Sequence, residues 1–479
     1  MSGITEELPS KWRREHIWRM PDEVEPVLII SILLIAIFTT RRKNYSISKG
    51  HLTEPIRSRH INLQNGISYE SFGATTVRRY ASDCDGHLHE SSATLSANGN
   101  SVEAHEPQYQ PKHRRIFGNW TIRTPNSSRF ANHCHSRVLV KYPFLIEMFY
   151  WVISFFFYRL TSVMAQKKYG GAKGLWDIAQ GHGIAILEFE TGLFGLSSII
   201  GKERWAEYRI QQWYLTGADG GDLRGLWLTI LDRGYSLIHI PGTVGFIAFY
   251  YWYAPTFNRF AAVRRMMTLL NMCAFLIFLL YPTMPPRFLP PEFGFIDTVN
   301  AEDAQSVWMS GQYVNKLAAM PSMHFGYAFA IGCVFMYESG FIQQFVSRRK
   351  IRFLFDYDES EVDSDVSSDD AGDASSPRLP SLPLHEKSIV TRCLFLFFGI
   401  FYPSWILLTI VATANHYFMD AVVATLCVLL AFLCNRVLLN FYPLEDWLLW
   451  ILRVEKPKPT TGWRRWRWKS ATTDSNDRV

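Results

Sequence analysis

Charge is scarce in this sequence. Asp, Glu, Lys and Arg make up only 19% of the 479 residues, while 48% are apolar. The places where charge is missing are the more informative. Met266–Tyr281 and Cys393–Ala414 contain none, and Tyr417–Cys434 contains only Asp420. Runs of this length and character are expected to cross a bilayer, because about 20 residues at about 1.5 Å rise span a hydrocarbon core of roughly 30 Å. That argues against a water-soluble globule. Cysteine is also sparse: there are seven, at positions 84, 134, 273, 333, 393, 427 and 434, with no CxxC pairing. Their spacing argues against a disulfide framework or a metal cage. Five of the seven fall within expected spans, where a thiol is a small apolar group. Basic helices and zinc-ligand spacings are missing too, so the net charge of +6 fits basic membrane edges better than nucleic-acid binding.

The apolar runs organise the chain. Six spans are expected, at approximately Pro143–Ala165, Gly234–Tyr253, Met266–Thr283, Leu317–Tyr337, Ile389–Ala414 and Tyr417–Asn440. The expected fold class is therefore all-α: a polytopic membrane protein with a six-helix core over 143–440. An additional apolar segment at 27–40 ends in Arg41-Arg42-Lys43 and reads equally as anchor, interfacial segment or targeting signal. Ile184–Ile200 is apolar but carries Glu188 and Glu190, which suggests an interfacial or partly buried helix. Residues 1–142 are otherwise read as mostly disordered, since the stretch after Arg41 is polar and lacks periodicity. Glycosylation-type triplets begin there at Asn44, Asn119 and Asn126. The core is interrupted at 356–383 by a linker with nine acidic residues between Asp356 and Asp373, which cannot bury apolar surface. The region 441–479 ends in a basic, Trp-rich tail, with Trp463-Arg464-Arg465-Trp466-Arg467-Trp468-Lys469 suited to an anionic headgroup layer.

Basic residues also set an expected orientation. Arg259, Arg264 and Arg265 lie between spans two and three, and Arg348, Arg349, Lys350 and Arg352 follow span four. These connections and the tail share one face, expected to be cytosolic. The loop from Pro285 to Lys316 and the turn at Asn415 then lie on the opposite face, lumenal or exterior.

That topology brings chemistry-bearing residues to one side of the membrane. Span three ends at Met284-Pro285-Pro286-Arg287, span four begins at Pro321-Ser322-Met323-His324, and spans five and six meet at Asn415-His416-Tyr417-Phe418-Met419-Asp420. His416 and Asp420 are four apart, one helical turn. A carboxylate there can accept the Nδ1–H of the imidazole, leave the Nε2 lone pair outward, and stabilise the cation formed on attack. Such a histidine can attack phosphorus and carry a phosphoryl group. His324 could protonate the leaving oxygen, with Arg287 neutralising charge and Ser322 adding a donor at a helix N-terminus. Each residue also has a plainer reading: His–Asp as a surface ion pair, His324 as a cap, Arg287 snorkelling to headgroups. Asp420 inside an apolar run is the one that resists it, since ionisable groups there are costly and by default functional. Tyr235 and His239 could line a cavity but are better read as packing.

Pro321-Ser322-Met323-His324 resembles the P-S-x-H second motif of the type 2 phosphatidic acid phosphatase superfamily, and His416-x-x-x-Asp420 resembles the end of its third motif. The order PTMPPRFLP, GFIDT, AAMPSMHFGYA, ATANHYFMDAV is similar to the branch containing fungal inositol phosphorylceramide synthase. The superfamily's first motif, lysine then arginine-proline, has no match, and Thr409-Ile410 stand where serine-arginine is usual; Arg287 is the candidate substitute. The resemblance implies a metal-free six-helix core, with His416 as nucleophile, Asp420 as its orienter and His324 as general acid. The expected activity is transfer of a phosphoinositol-type headgroup from a phospholipid donor to a lipid alcohol such as ceramide, without a cofactor. Two alternatives stay open: a lipid-phosphate phosphatase in which water is the acceptor, and a catalytically silent membrane scaffold. The expected partners are membrane lipids, not nucleic acid or metal, and the expected location is an endomembrane, Golgi or endoplasmic reticulum.

Overall fold

The structure is a computed structural model and describes residues 24–48, 50, 109–117, 120–219, 223–235, 239–298, 317–345 and 387–461. The acidic linker at 356–383, the Trp463–Lys469 tail and most of the polar stretch after Arg41 lie outside the described residues. In chain order the elements are α1 (Val24–Thr40), β1 (Lys112–Ile116), β2 (Trp120–Thr124), α2 (Cys134–Lys141), α3 (Phe144–Lys168), α4 (Gly171–Leu193), α5 (Ala206–Asp219), α6 (Leu223–Arg233), α7 (His239–Tyr253), α8 (Phe257–Leu280), α9 (Met323–Ser339), α10 (Ile389–Ala412), α11 (Phe418–Cys434) and α12 (Tyr442–Ile451).

Among the described residues, four helices are long and apolar enough to cross a membrane: Phe144–Lys168, Phe257–Leu280, Ile389–Ala412 and the continuous run Phe418–Ile451. Expectation and structure differ in count here. Helices occupy all six expected places, but α9 has only 17 residues, fewer than a straight crossing needs. The described part of α7 covers 15 residues, and α1 packs along it. The outward faces of the long helices are greasy: Phe156, Leu276, Leu426 and Leu433 are each more than half exposed. An apolar exterior of that extent suits lipid rather than water, and the chain is a membrane protein.

The main core is built where α8 runs through the middle of the bundle. Phe260, Val263, Met266 and Leu270 of α8 meet Phe246 and Tyr250 of α7, Ile331 and Val334 of α9, and Val428 and Ala431 of α11, all buried. α9 and α10 cross closely at two glycines, where a Cβ on Gly332 would come within 2.6 Å of the Gly399 carbonyl oxygen. In lipid, such small-residue crossings let backbones approach and gain dispersion contact. α9 starts at an N-cap, Ser322, whose Oγ accepts from the Phe325 N–H at 3.3 Å, and stops at Gly340 in a left-handed conformation (φ 84°), as helix ends commonly do.

Two sequence expectations look different in three dimensions. Arg264 and Arg265, read as loop cations between spans two and three, lie inside α8, which begins nine residues before Met266 at Phe257. Arg264 pairs with buried Glu147 of α3 at 2.7 and 3.0 Å, so it joins two helices rather than marking a membrane edge. Within the polar stretch, β1 and β2 form an antiparallel hairpin in which Arg114 opposes Ile122. Arg114 and Thr124 both hold Asp446 of α12, at 2.8 and 2.9 Å. A hairpin held by an ion pair to a distant helix leaves no period-two apolar pattern to read.

Candidate active site

The ends of α8 and α10 and the starts of α9 and α11 meet at one end of the bundle, tied by backbone hydrogen bonds. Thr283 donates to Leu317 O at 3.0 Å and accepts from the Ala319 N–H at 3.1 Å. The Arg287 N–H reaches Ala414 O at 3.0 Å, and the Ser322 N–H reaches the carbonyl of Asp420 at 3.1 Å. The segments bearing Arg287, His324 and His416 are thereby pinned to one another before any side chain is counted.

α4 closes this end, although the expectation gave it no part in the site. The Met284 N–H donates to Ala179 O at 3.0 Å, and the Tyr417 hydroxyl donates to Met284 O at 2.9 Å. Gly183 makes that approach possible: a Cβ there would lie 2.6 Å from the Tyr417 hydroxyl oxygen and 2.9 Å from Met284 O.

His416 is 5% exposed and its Nδ1 has two acceptors, Ala319 O at 2.8 Å and Asp420 Oδ2 at 3.1 Å. Two acceptors at one nitrogen require the proton to sit there. The neutral imidazole therefore keeps its Nε2 lone pair unprotonated, the form a nucleophile needs. Asp420 is fully buried, and its Oδ2 also accepts from the Tyr417 N–H at 3.0 Å at the N-terminus of α11, where the helix dipole favours an anion. The sequence spacing anticipates the Asp420 contact, whereas the Ala319 carbonyl has no side-chain signature and goes unread.

His324 stands with its ring centroid 6.0 Å from that of His416. Its plane is held by Tyr235, stacked at 4.1 Å and 24°; Tyr235, expected to serve packing alone, thus orients a candidate site residue. In-line transfer needs roughly 7 Å between a nucleophilic nitrogen and the group protonating the leaving oxygen, summing an approach of about 3 Å, a P–O bond and a hydrogen bond. The imidazole pair is on that scale. Ser322 is fully buried; its N–H is already engaged by Asp420 O and its Oγ caps α9, so only its hydroxyl proton is left for a ligand.

Arg287 is nearly buried and pairs loosely with Asp297, Nη1 to Oδ1 at 3.5 Å. Asp297 lies in the GFIDT segment. Beside it, Thr298 donates to Asp232 Oδ1 at 2.8 Å. Burial pushes the Asp232 carboxyl up to about 7, a rise that the Thr298 hydrogen bond and Arg233 limit. Asp232 sits in Leu223–Arg233 with nothing in its spacing to mark it. Among the described residues, no group of three or more His, Cys, Asp or Glu side chains is placed to hold a metal ion.

An apolar cavity of about 290 Å³ adjoins both histidine-bearing helix starts, lined by Phe325 of α9, Leu407 of α10, Phe418, Met419 and Val422 of α11, and Phe194. Phe194 and Val422 are largely exposed on the outward face, so the cavity meets the lipid-facing surface.

A buried histidine with its Nδ1 proton engaged thus stands 6.0 Å, ring to ring, from a second histidine, beside a lipid-side cavity. Residues 222–343 match the family model for the PAP2 superfamily. The match supports the type 2 phosphatidic acid phosphatase superfamily and a phosphatase or phosphotransferase acting on membrane lipids. The matched stretch contains Ser322 and His324 and ends before His416 and Asp420. No curated protein and no solved structure matches the chain.

Proposed function

We propose that the chain transfers a phosphoinositol-type headgroup from a phospholipid to a lipid alcohol such as ceramide, through a phosphohistidine on His416. The Nε2 lone pair attacks phosphorus, and the bond to the diacylglycerol oxygen breaks as His324 gives that oxygen a proton. His324, now neutral, takes the proton of the acceptor hydroxyl; the acceptor oxygen attacks phosphorus and the P–Nε2 bond breaks. Through both steps Nδ1–H stays with Ala319 O and Asp420, which stabilise the transient positive charge on the ring. Arg287 neutralises the phosphoryl oxygens, and Ser322 offers its hydroxyl.

The observation that carries the reading is the pair of acceptors on His416 Nδ1, which leaves the Nε2 lone pair for attack on a ring 6.0 Å from that of His324. The apolar cavity supports a lipid acceptor over water, because a dry wall beside the reacting phosphorus disfavours hydrolysis. The active core comprises six helices, with α9 as a shorter crossing, and the site faces the lumen or exterior of an endomembrane of the Golgi or endoplasmic reticulum.

The test is direct. Purified protein is offered headgroup-labelled phosphatidylinositol with ceramide, and separately labelled phosphatidate. Label on ceramide, lost in His416→Ala and His324→Ala, is the expected result. Release of inorganic phosphate from phosphatidate without transfer would replace the reading by a phosphatase; product unchanged in both variants would remove the histidine mechanism.

A further inference from the structure

The first N–H groups of a helix have no partner within it and must find one elsewhere. At the start of α11 three successive amides are each met by a carboxyl from a different part of the chain. The Tyr417 N–H donates to Asp420 Oδ2 at 3.0 Å, the Phe418 N–H to Glu207 Oε1 of α5 at 3.4 Å, and the Met419 N–H to Glu190 Oε1 of α4 at 2.5 Å. Glu190 and Glu207 are both 1% exposed, and their hold on adjacent amides sets the two carboxyls side by side.

Two ionised carboxylates cannot hydrogen-bond, since neither has a donor, and two buried like charges side by side are strongly unfavourable. One proton between them resolves both problems. Glu190 Oε1 is already engaged by Met419, while its Oε2 meets no N–H or hydroxyl donor, so Oε2 is the atom left to hold that proton. Burial, reinforced by Glu207, raises the Glu190 carboxyl to about 10, which agrees with a neutral acid at physiological pH. Glu188, two residues earlier, points elsewhere: it is exposed and pairs with Arg204 at 2.5 Å. Residues two apart on a helix occupy different faces, so the two glutamates have separate fates.

We propose that Glu190 and Glu207 form a proton-sharing clamp that positions the His416–Asp420 turn, with Glu190 as donor to Glu207 and both as acceptors for the amides that open α11. The inference rests on His416 being the nucleophile. The clamp fixes where the first turn of α11 sits relative to α4 and α5, and with it the carboxylate that orients the imidazole. Glu190 and Glu207 act through the His416–Asp420 turn as positioning residues; Glu190 also borders the apolar cavity, whereas Glu207 does not line it.

The test separates geometry from charge. Glu207→Gln keeps an oxygen for the Phe418 N–H and an N–H donor for Glu190 Oε2, so its kcat should stay within about twofold of wild type. Glu190→Asp keeps the carboxyl but shortens the reach, and should lose kcat about 10–100-fold with the donor KM nearly unchanged, as expected for misplaced rather than missing chemistry. Glu190→Ala should lose at least as much. Thermal melting and gel filtration in detergent accompany each variant, and if Glu190→Ala does not fold, the Gln and Asp variants still decide. The clamp is overturned if Glu207→Gln falls with Glu190→Asp, if Glu207→Gln does not fold, if Glu190→Asp keeps full kcat, or if the loss lies in KM alone. His416→Ala runs alongside: residual activity there defeats the nucleophile assignment, which is a different failure.

Discussion

Replacing Asp420 by Asn is the perturbation whose size the structure defines best. In a triad where the carboxylate alone holds the imidazole, an amide can select the wrong tautomer and cost about 10⁴ in kcat. Here the tautomer has a second keeper, since Ala319 O accepts from Nδ1 at 2.8 Å, closer than Asp420 Oδ2 at 3.1 Å. Asn at this third helical position also keeps an oxygen for the N–H of the N-cap, Tyr417, so the turn should survive. What disappears is the negative charge that stabilises the imidazolium-like state during attack. A hydrogen bond to a charged group contributes about 1.5–3 kcal/mol, which corresponds to a loss of roughly 10–150-fold in kcat. The assay is steady-state transfer of labelled headgroup in mixed micelles, with His416→Ala as the zero. A fall near 10⁴, indistinguishable from His416→Ala, would mean that Ala319 does not hold the tautomer. An unchanged rate would mean that the carboxylate contributes nothing to the chemical step.

Four further outcomes follow from the geometry. Arg287→Ala should lower kcat/KM for the phospholipid donor by about 100-fold, the scale for removing one charge-stabilising donor; a loss under threefold would take Arg287 out of the phosphate site. Gly183→Ala should displace Tyr417 and cut activity, at a stability cost of about 1–3 kcal/mol from overpacking. Combining it with Tyr417→Phe, which removes the hydroxyl oxygen 2.6 Å from the new methyl, should recover part of both losses, and no recovery would refute the steric cause. Leu407→Trp should fill the cavity and depress transfer to a lipid alcohol tenfold or more while hydrolysis of the donor continues; equal loss of both would show that the cavity does not hold the acceptor. Asp232 gives a pH dependence whose sign can be worked out. Its folded pKa of about 7 lies above the ordinary value of 3.8, so its contribution to stability is complete below the unfolded pKa and is lost as pH rises through the folded one. The melting temperature of wild type should therefore fall relative to Asp232→Asn between about pH 5 and pH 8, and a constant difference would contradict a buried neutral carboxyl.

Parts of this were legible in the residues and parts were not, for physical reasons. Charge-free runs located the long helices, because bilayer crossing imposes length and composition together. They could not distinguish α9, whose 17 residues are apolar yet short and packed among longer neighbours. The four-residue spacing of His416 and Asp420 anticipated their hydrogen bond, although His416 lies two residues before α11 and meets Asp420 through the turn that opens the helix. The Ala319 carbonyl was invisible because every residue has a carbonyl. Glu190 could not be told from Glu188 in sequence, because only the position of α11 decides which face of α4 is buried. Glu207 and Asp232 lie in helices of mixed composition, where an acid reads as surface. Arg264 looked like a loop cation because the partner that draws it into α8, Glu147, is 117 residues away.

The central claim is that phosphorus becomes bonded to His416. Protein mixed with a donor labelled at phosphorus, without acceptor lipid, quenched within one turnover and digested, tests it most directly. The account predicts acid-labile, base-stable label on the peptide containing His416, discharged when ceramide is added and absent from His416→Ala. Label retained in His416→Ala, or transfer at full rate with no label on the protein at any time, would contradict it.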